Sequence, residues 1–291
     1  MEIIESLSFA YRSVLDFLYK KTHRINIMTI EETLNYIVEK KCSVARYGDG
    51  EFDLILERDI GFQPANDDLM NSLKEILLNG SDNLLICLPG AWAHEKEYTR
   101  GMVDYWRRHL LRCRKKYYNM CSMKYLYGCS EMTRCYLGVK DKSKVPSLFE
   151  LNRKIWDNRN VITVEGEKSR LGVGNDLFDN CKTLRRMLCP ASNAYDKKDL
   201  ILEKIKELAN KETLILLALG PTATVLSYHL SDMGYQAVDI GNIDKEYEWF
   251  LSGATKKTVN PIKHIIEVEN DQIVEDCFDE KYLSQIVYKI I

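Results

Sequence analysis

The order of apolar and polar positions divides the chain into a run of short elements. Residues 3–19 place apolar side chains at helical spacing and predict an amphipathic helix. It is expected to pack on the body of the protein rather than on a membrane surface, because basic residues cluster only at Lys20 and Lys21. Thr29 or Thr33 opens a second helix ending near Lys41, with Glu32 placing negative charge in its first turn. Residues 42–45 read as a strand, 67–78 as a helix closed by Asn79-Gly80, and 84–88 as a buried strand ended by Pro89-Gly90. Helical patterns follow over 94–118, 130–136 and 147–156, with a polar loop at 140–144. The second half is more regular. Residues 161–164, 214–219 and 236–240 predict strands, and 179–188, 200–209 and 243–251 predict helices. Gly220-Pro221-Thr222 turns the chain, Thr222 or Thr224 caps a helix reaching Met233, and Gly234 closes it. The tail beyond residue 259 is expected to add an edge strand and a last helix. Strands alternating with helices across short turns predict an α/β fold with a mostly parallel sheet flanked by helices.

Composition narrows the class. The 291 residues suffice for one large domain or two modest ones, and no repeat or linker marks a boundary. Hydrophobic content is 45%, charged content 29% and net charge -2, so no bulk basic field argues for nucleic acid. The nine cysteines are scattered, odd in number and free of CxxC pairs, which suits a reducing cytoplasm and gives no zinc framework. The first residues lack the uninterrupted apolar core of a signal peptide, and no segment approaches a membrane span. The basic run at Arg107, Arg108, Arg112, Arg114, Lys115 and Lys116 reads either as a solvated face or as an electrostatic contact toward an anionic acceptor or lipid headgroups.

Candidate chemistry concentrates at three glycine-bearing turns that follow predicted strands. RYGDGEF, residues 46–52, sets Asp49 and Glu51 two apart, each after a glycine, Gly48 and Gly50. Read as a metal motif, the pair offers hard oxygen ligands to Mg²⁺ or Mn²⁺, ions that fill their other positions with phosphate and water. Arg46 adds a fork suited to phosphate. Read blandly, Asp-Gly is a turn. The second turn carries Lys168 and Arg170, then Gly172 and Gly174, then Asn175 and Asp176 at an expected helix start. Backbone N–H groups, a helix N-terminus and two cations together make a diphosphate site, although the same loop also reads as a charged surface connection. It is neither a Walker A loop nor GxGxxG, which disfavours P-loop NTPases and ordinary dinucleotide oxidoreductases. The third turn is Gly220, Pro221 and Thr222. Asp239, Asp244, Glu246 and Glu248, at or just after a strand end, are candidates for deprotonating an acceptor hydroxyl, or else caps and surface charge. Trp92, Tyr247 and Trp249 could stack on a sugar or base, or belong to the core.

RYGDGEF, VEGEKSRLGVGNDLFDN, LALGPTATVLSYHLSDMGYQAVDIG and NIDKEYEWF, in that order, resemble the GT-D-type glycosyltransferase family. The likeness runs from about residue 29 to about 269, leaving residues 1–28 as an N-terminal helical extension and 29–291 as a single glycosyltransferase domain. The resemblance implies a Rossmann-like fold, a UDP-sugar donor, and a Mn²⁺ or Mg²⁺ ion held through Asp49 and Glu51. It implies transfer of a hexose, glucose foremost, to a glycan acceptor on a surface glycoprotein or polysaccharide. Asp244 and Glu248 join Asp49 and Glu51 as the expected catalytic residues. The cytoplasm is the expected compartment, at the inner face of the membrane if the protein docks there, and self-association stays open. Asn242 departs from the pattern, which expects histidine there. Two other readings survive: a nucleotide-sugar-binding subunit without catalysis, and a metal-dependent nucleotide-diphosphate hydrolase, the latter disfavoured by the shortage of clustered His and Asp ligands.

Overall fold

The structure, a computed structural model, describes residues 2–264 and 274–290. Nine strands form one sheet: β1 (Asn26–Ile27), β2 (Ser43–Arg46), β3 (Leu84–Leu88), β4 (Leu126–Cys129), β5 (Asn160–Gly166), β6 (Thr183–Cys189), β7 (Leu214–Ala218), β8 (Gln236–Asp239) and β9 (Ile286–Lys289). Their order is β1-β4-β3-β2-β8-β7-β5-β6-β9, and every pairing is parallel. A parallel sheet needs helical crossovers that cover both faces, so its strands bury both sides. LLICL in β3 and LILLA in β7 are accordingly continuous apolar runs with almost no exposed position. The helices are α1 (Glu2–Thr22), α2 (Ile30–Lys40), α3 (Asp49–Ile55), α4 (Asp67–Asn79), α5 (Arg100–Met120), α6 (Val145–Trp156), α7 (Lys198–Leu208), α8 (Pro221–Asp232), α9 (Ile243–Leu251) and α10 (Glu280–Gln285). Two large apolar clusters fill the space between sheet and helices.

Local chemistry sets the boundaries. Thr29, not Thr33, caps α2: its hydroxyl accepts from Glu32 N at 3.2 Å while the Glu32 carboxylate accepts from Thr29 N at 2.8 Å. Asn66 caps α4, and Gly80 at φ +60° ends it. The expected tail appears as α10 and edge strand β9, while part of it lies outside the described residues.

Four expectations need correction. Residues 179–188, expected to be helical, contain strand β6, which pairs with β5 over seven residues and with β9 on its other side. Leu184, Met187 and Leu188 imitate helical spacing. The strand forms because Arg186, buried at 3% exposure, pairs with Glu165 on β5 at 2.7 Å and lies 4.9 Å from the Tyr282 ring centre. The pattern over 94–118 is not one helix. Short 3₁₀ turns at Gly90–Trp92 and Glu95–Glu97 precede α5, which Thr99 caps. Neither Thr222 nor Thr224 caps α8. Gly220 holds the cap position at φ +55°, with the Phe62 ring where a Cβ would stand, and the Thr224 hydroxyl instead donates to Arg46 O at 2.9 Å. The fourth concerns α1. It packs on the body, but through its polar side: Arg12 binds Asp104, Asp16 binds Arg114, and Lys20 binds Glu95. Its apolar side faces outward.

Candidate functional site

The carboxyl ends of the central strands β2, β8, β7 and β5 open into one cavity of about 520 Å³. Ligands of open α/β sheets bind at this edge, and the volume falls within the roughly 300–1,000 Å³ of small-molecule sites. The lining includes Arg46, Gly48, Asp49, Gly50 and Glu51 after β2, Gly166 and Ser169 after β5, Gly220 and Pro221 after β7, and Asp239, Gly241 and Asn242 after β8. The first and third glycine-bearing turns and the start of the second thus meet here.

The D-x-E pair does not sit on a free turn. Asp49 and Glu51 occupy the first turn of α3, with Gly48 at the cap. The Glu51 carboxylate reaches back to accept from Gly48 N at 2.7 Å. Dehydration of that carboxyl pushes it up to about 7, with the Asp239 charge adding to the rise, although the Gly48 N–H and the Arg46 charge favour ionisation. Asp49 is exposed at the cavity and accepts a hydrogen bond from the Tyr105 hydroxyl. Positions i and i+2 of a helix point apart, so a shared ion would be met only by oxygens near the cap. Exposed Asp49 and the Glu51 oxygen outside the cap bond are the hard donors that would hold such an ion.

Arg46 takes a different part from the expected phosphate fork. Its guanidinium donates to Asp239 O at 3.0 Å, Asp239 Oδ1 at 2.9 Å, Ser130 O at 3.1 Å and Thr133 Oγ1 at 2.7 Å. It ties together the ends of β2, β8 and the 3₁₀ turn Ser130–Thr133. Gly241, at φ +41°, leaves room for it: a Cβ there would overlap the guanidinium. Burial raises the Asp239 carboxyl above the usual range, against the pull of Arg46.

The Gly172 loop divides. Gly166, Ser169 and Leu171 line the cavity, while Lys168, Arg170, Gly172, Gly174, Asn175 and Asp176 do not. Arg170 is buried and donates to Ile262 O at 2.6 Å and Glu275 O at 2.5 Å. The Lys168 carbonyl accepts from His264 N. Gly172 N and Asn175 Nδ2 both donate to Asp244 Oδ1 at 2.8 Å. Asp176 pairs with Arg153 and accepts from the Tyr247 hydroxyl. No helix starts at Asn175, so the expected diphosphate cradle is absent from this stretch. Asp244 and Glu248 stand away from the cavity as well, sharing Lys263 at 2.7 and 2.5 Å. Thr222 lies buried behind Pro221, and its hydroxyl has no hydrogen-bond partner among the described residues.

Residues 44–268 match the glycosyltransferase GT-D fold family. The chain belongs to that family. It is 39% identical over 277 residues to glycosyltransferase GlyD of Streptococcus pneumoniae serotype 4, covering 95% of this chain and 34% of the relative. It therefore spans about a third of that relative's length. A solved structure described as a new glycosyltransferase from Streptococcus sanguinis superposes with a TM-score of 0.88 at 39% identity, covering 92% of this chain and 100% of the other. A second, described as having a distinct glycosyltransferase fold, gives 0.90 at 39% identity over 95% of this chain and 100% of the other.

Within this GT-D fold, the cavity recruits residues that sequence reasoning did not single out. Phe62, Tyr105 and Trp106 supply its aromatic wall. Trp92, Tyr247 and Trp249 are instead core or near-core residues; Trp92 stacks with Phe52 and Tyr118. Glu131 also lines the cavity, accepts from Gly90 N at 2.7 Å, and is raised by burial. Of the four candidate bases, Asp239 and Glu246 reach the cavity, the latter held by Tyr136 N and Leu137 N at 2.9 Å. Arg134, Lys245 and Lys257 add positive charge to the lining. No sequence signal pointed to Tyr105: its place on α5 lies outside every strand-end turn, so only the fold brings it to Asp49.

Proposed function

We propose that the chain is a metal-dependent glycosyltransferase that moves a hexose from a UDP-sugar to a glycan acceptor. The observation that carries this reading is the convergence of Asp49, Glu51 and the N-terminus of α8 on one cavity at the carboxyl edge of the sheet. A helix N-terminus favours an anion, and the buried Thr222 hydroxyl behind it offers an uncommitted polar group. Asp49 and Glu51 would hold Mn²⁺ or Mg²⁺, which when bound supplies charge neutralisation for the departing diphosphate. The cationic lining residues Arg134, Lys245 and Lys257 stabilise the same developing charge. The bond from the anomeric carbon to the UDP oxygen breaks, and a bond to the acceptor oxygen forms. Asp239 or Glu246 receives the acceptor proton if the reaction inverts configuration. Phe62, Tyr105 and Trp106 give the sugar or base an apolar wall. The cytoplasm suits the free thiols, seven of the nine being buried.

The test is a donor screen with labelled UDP-glucose, UDP-galactose and their N-acetyl forms, with and without Mn²⁺ and a glycan acceptor. Acceptor-dependent transfer that falls roughly a hundredfold in Asp49→Ala and Glu51→Ala, about 3 kcal/mol of barrier, supports the proposal. Release of free sugar phosphate without acceptor would reassign the site to hydrolysis. UDP binding with no transfer to any acceptor would make it a binding subunit.

A further inference from the structure

We propose that the outward face of α1, with the α5 surface beside it, docks on an anionic lipid bilayer. The proposal is independent of the reaction assigned to the cavity. α1 turns a mainly polar side, with Phe9 and Tyr19 among it, to the protein. Arg12 pairs with Asp104 at 2.5 Å, Asp16 with Arg114, Lys20 with Glu95 at 2.7 Å, and Arg107 donates to the Ser13 hydroxyl at 2.6 Å. The opposite side exposes Leu7 at 66%, Tyr11 at 62%, Val14 at 56%, Phe17 at 61% and Leu18 at 55%. A soluble helix does the reverse, burying the stripe and exposing the charges. An apolar face of this size on one helix marks an interaction surface.

Charge decides between a bilayer and a second copy of the chain. α1 and α5 lie side by side and run parallel, as Arg12 with Asp104, Asp16 with Arg114 and the Tyr19–Tyr118 ring contact show. On α5, exposed Leu111 stands on the stripe next to α1, with exposed Arg108 and Lys115 three residues before and four after it. Exposed Lys21 closes the far end, over the Phe17 ring. Asp16 and Asp104 are the acids among the described side chains of both helices, and both are turned into ion pairs. Among the described side chains of the two helices, a second copy would therefore set cation against cation with no exposed acid to answer. An anionic headgroup layer answers them, at about 1 kcal/mol per cation near the surface, while Tyr11, Phe17 and the leucines enter the acyl boundary. The contact is peripheral, since no helix among the described residues is long and apolar enough to cross a membrane.

Flotation of the full chain with vesicles of phosphatidylcholine alone, or mixed with phosphatidylglycerol, tests this. Wild type is expected to float with the anionic vesicles, not with phosphatidylcholine alone, and to be released by high salt. Leu7→Ser with Phe17→Ser, and separately Lys21→Glu with Lys115→Glu, should each weaken flotation about tenfold or more. These side chains are exposed, so the melting temperature should hold and show that the fold is intact. Wild type left behind by the anionic vesicles, or variants floating like wild type, would overturn the proposal. So would a dimer mass in light scattering that Leu7→Ser with Phe17→Ser abolishes, because the face would then belong to a second copy.

Discussion

Two stretches of this chain combine similar residue types and put them to different use. Residues 46–52 and 165–178, with 244–248 beyond them, each combine glycines, paired acids and at least one cation at or after a strand end. At the first, Asp49 stays exposed at the cavity and Glu51 spends one oxygen on the helix cap. At the second, Asp244, Glu248 and Arg170 are consumed, while Lys245 and Glu246 still line the cavity. Asp244 binds Gly172, Asn175 and Lys263; Glu248 binds Lys263 and Asn260; Arg170 binds two carbonyls. Residue type and position after a strand announce chemistry, but the partners supplied by distant chain decide whether that chemistry is available to a ligand.

The largest expected effect falls on the second stretch. Lys263 and Asp244 are both 0% exposed, so Lys263→Ala leaves a buried charge unanswered. Urea unfolding should show a loss of about 3–5 kcal/mol. A loss below about 1 kcal/mol would mean that the pair is not the tie described here. Next is Gly241→Ala, which forces a side chain into the Arg46 guanidinium at positive φ. It should cost about 1–3 kcal/mol and lower transfer activity, since Arg46 aligns the ends of β2 and β8. A fully active, unshifted variant would detach Arg46 from that role.

The smallest effect is a pH slope at the first stretch. Glu51 is raised from 4.5 to about 7 by dehydration, and Asp239 and Glu131 are raised in the same direction. The folded protein holds protons that the unfolded chain has released, so this stability is complete below about 4.5 and lost as pH rises toward about 7. Denaturation midpoints in chelator should therefore fall across that window in wild type and fall less in Glu51→Gln. Parallel curves would remove the raised carboxyl from the account.

Much of the fold was legible because its signals are local. The Thr29 box, Asn79-Gly80 and the apolar runs of β3 and β7 each settle a boundary within a few residues. β6 was not, because a strand with a buried arginine needs Glu165, twenty-one residues earlier, to neutralise it. At the site, the strand-end glycines pointed to the right sheet edge. The tasks of Arg46 and Asp244 were hidden, since their partners Asp239, Ser130 and Lys263 come from other parts of the chain. α1 was the clearest reversal: helical spacing predicts a stripe but does not say which side the protein keeps.

The central claim is that Asp49 of the first stretch, not Asp176 of the second, meets the ligand. Calorimetric titration of UDP in the presence of Mn²⁺ compares Asp49→Ala with Asp176→Asn, an acid of the second stretch already paired with Arg153. The account predicts that Asp49→Ala weakens binding at least about tenfold, while Asp176→Asn binds like wild type. Unchanged binding in Asp49→Ala, with loss in Asp176→Asn, would contradict it.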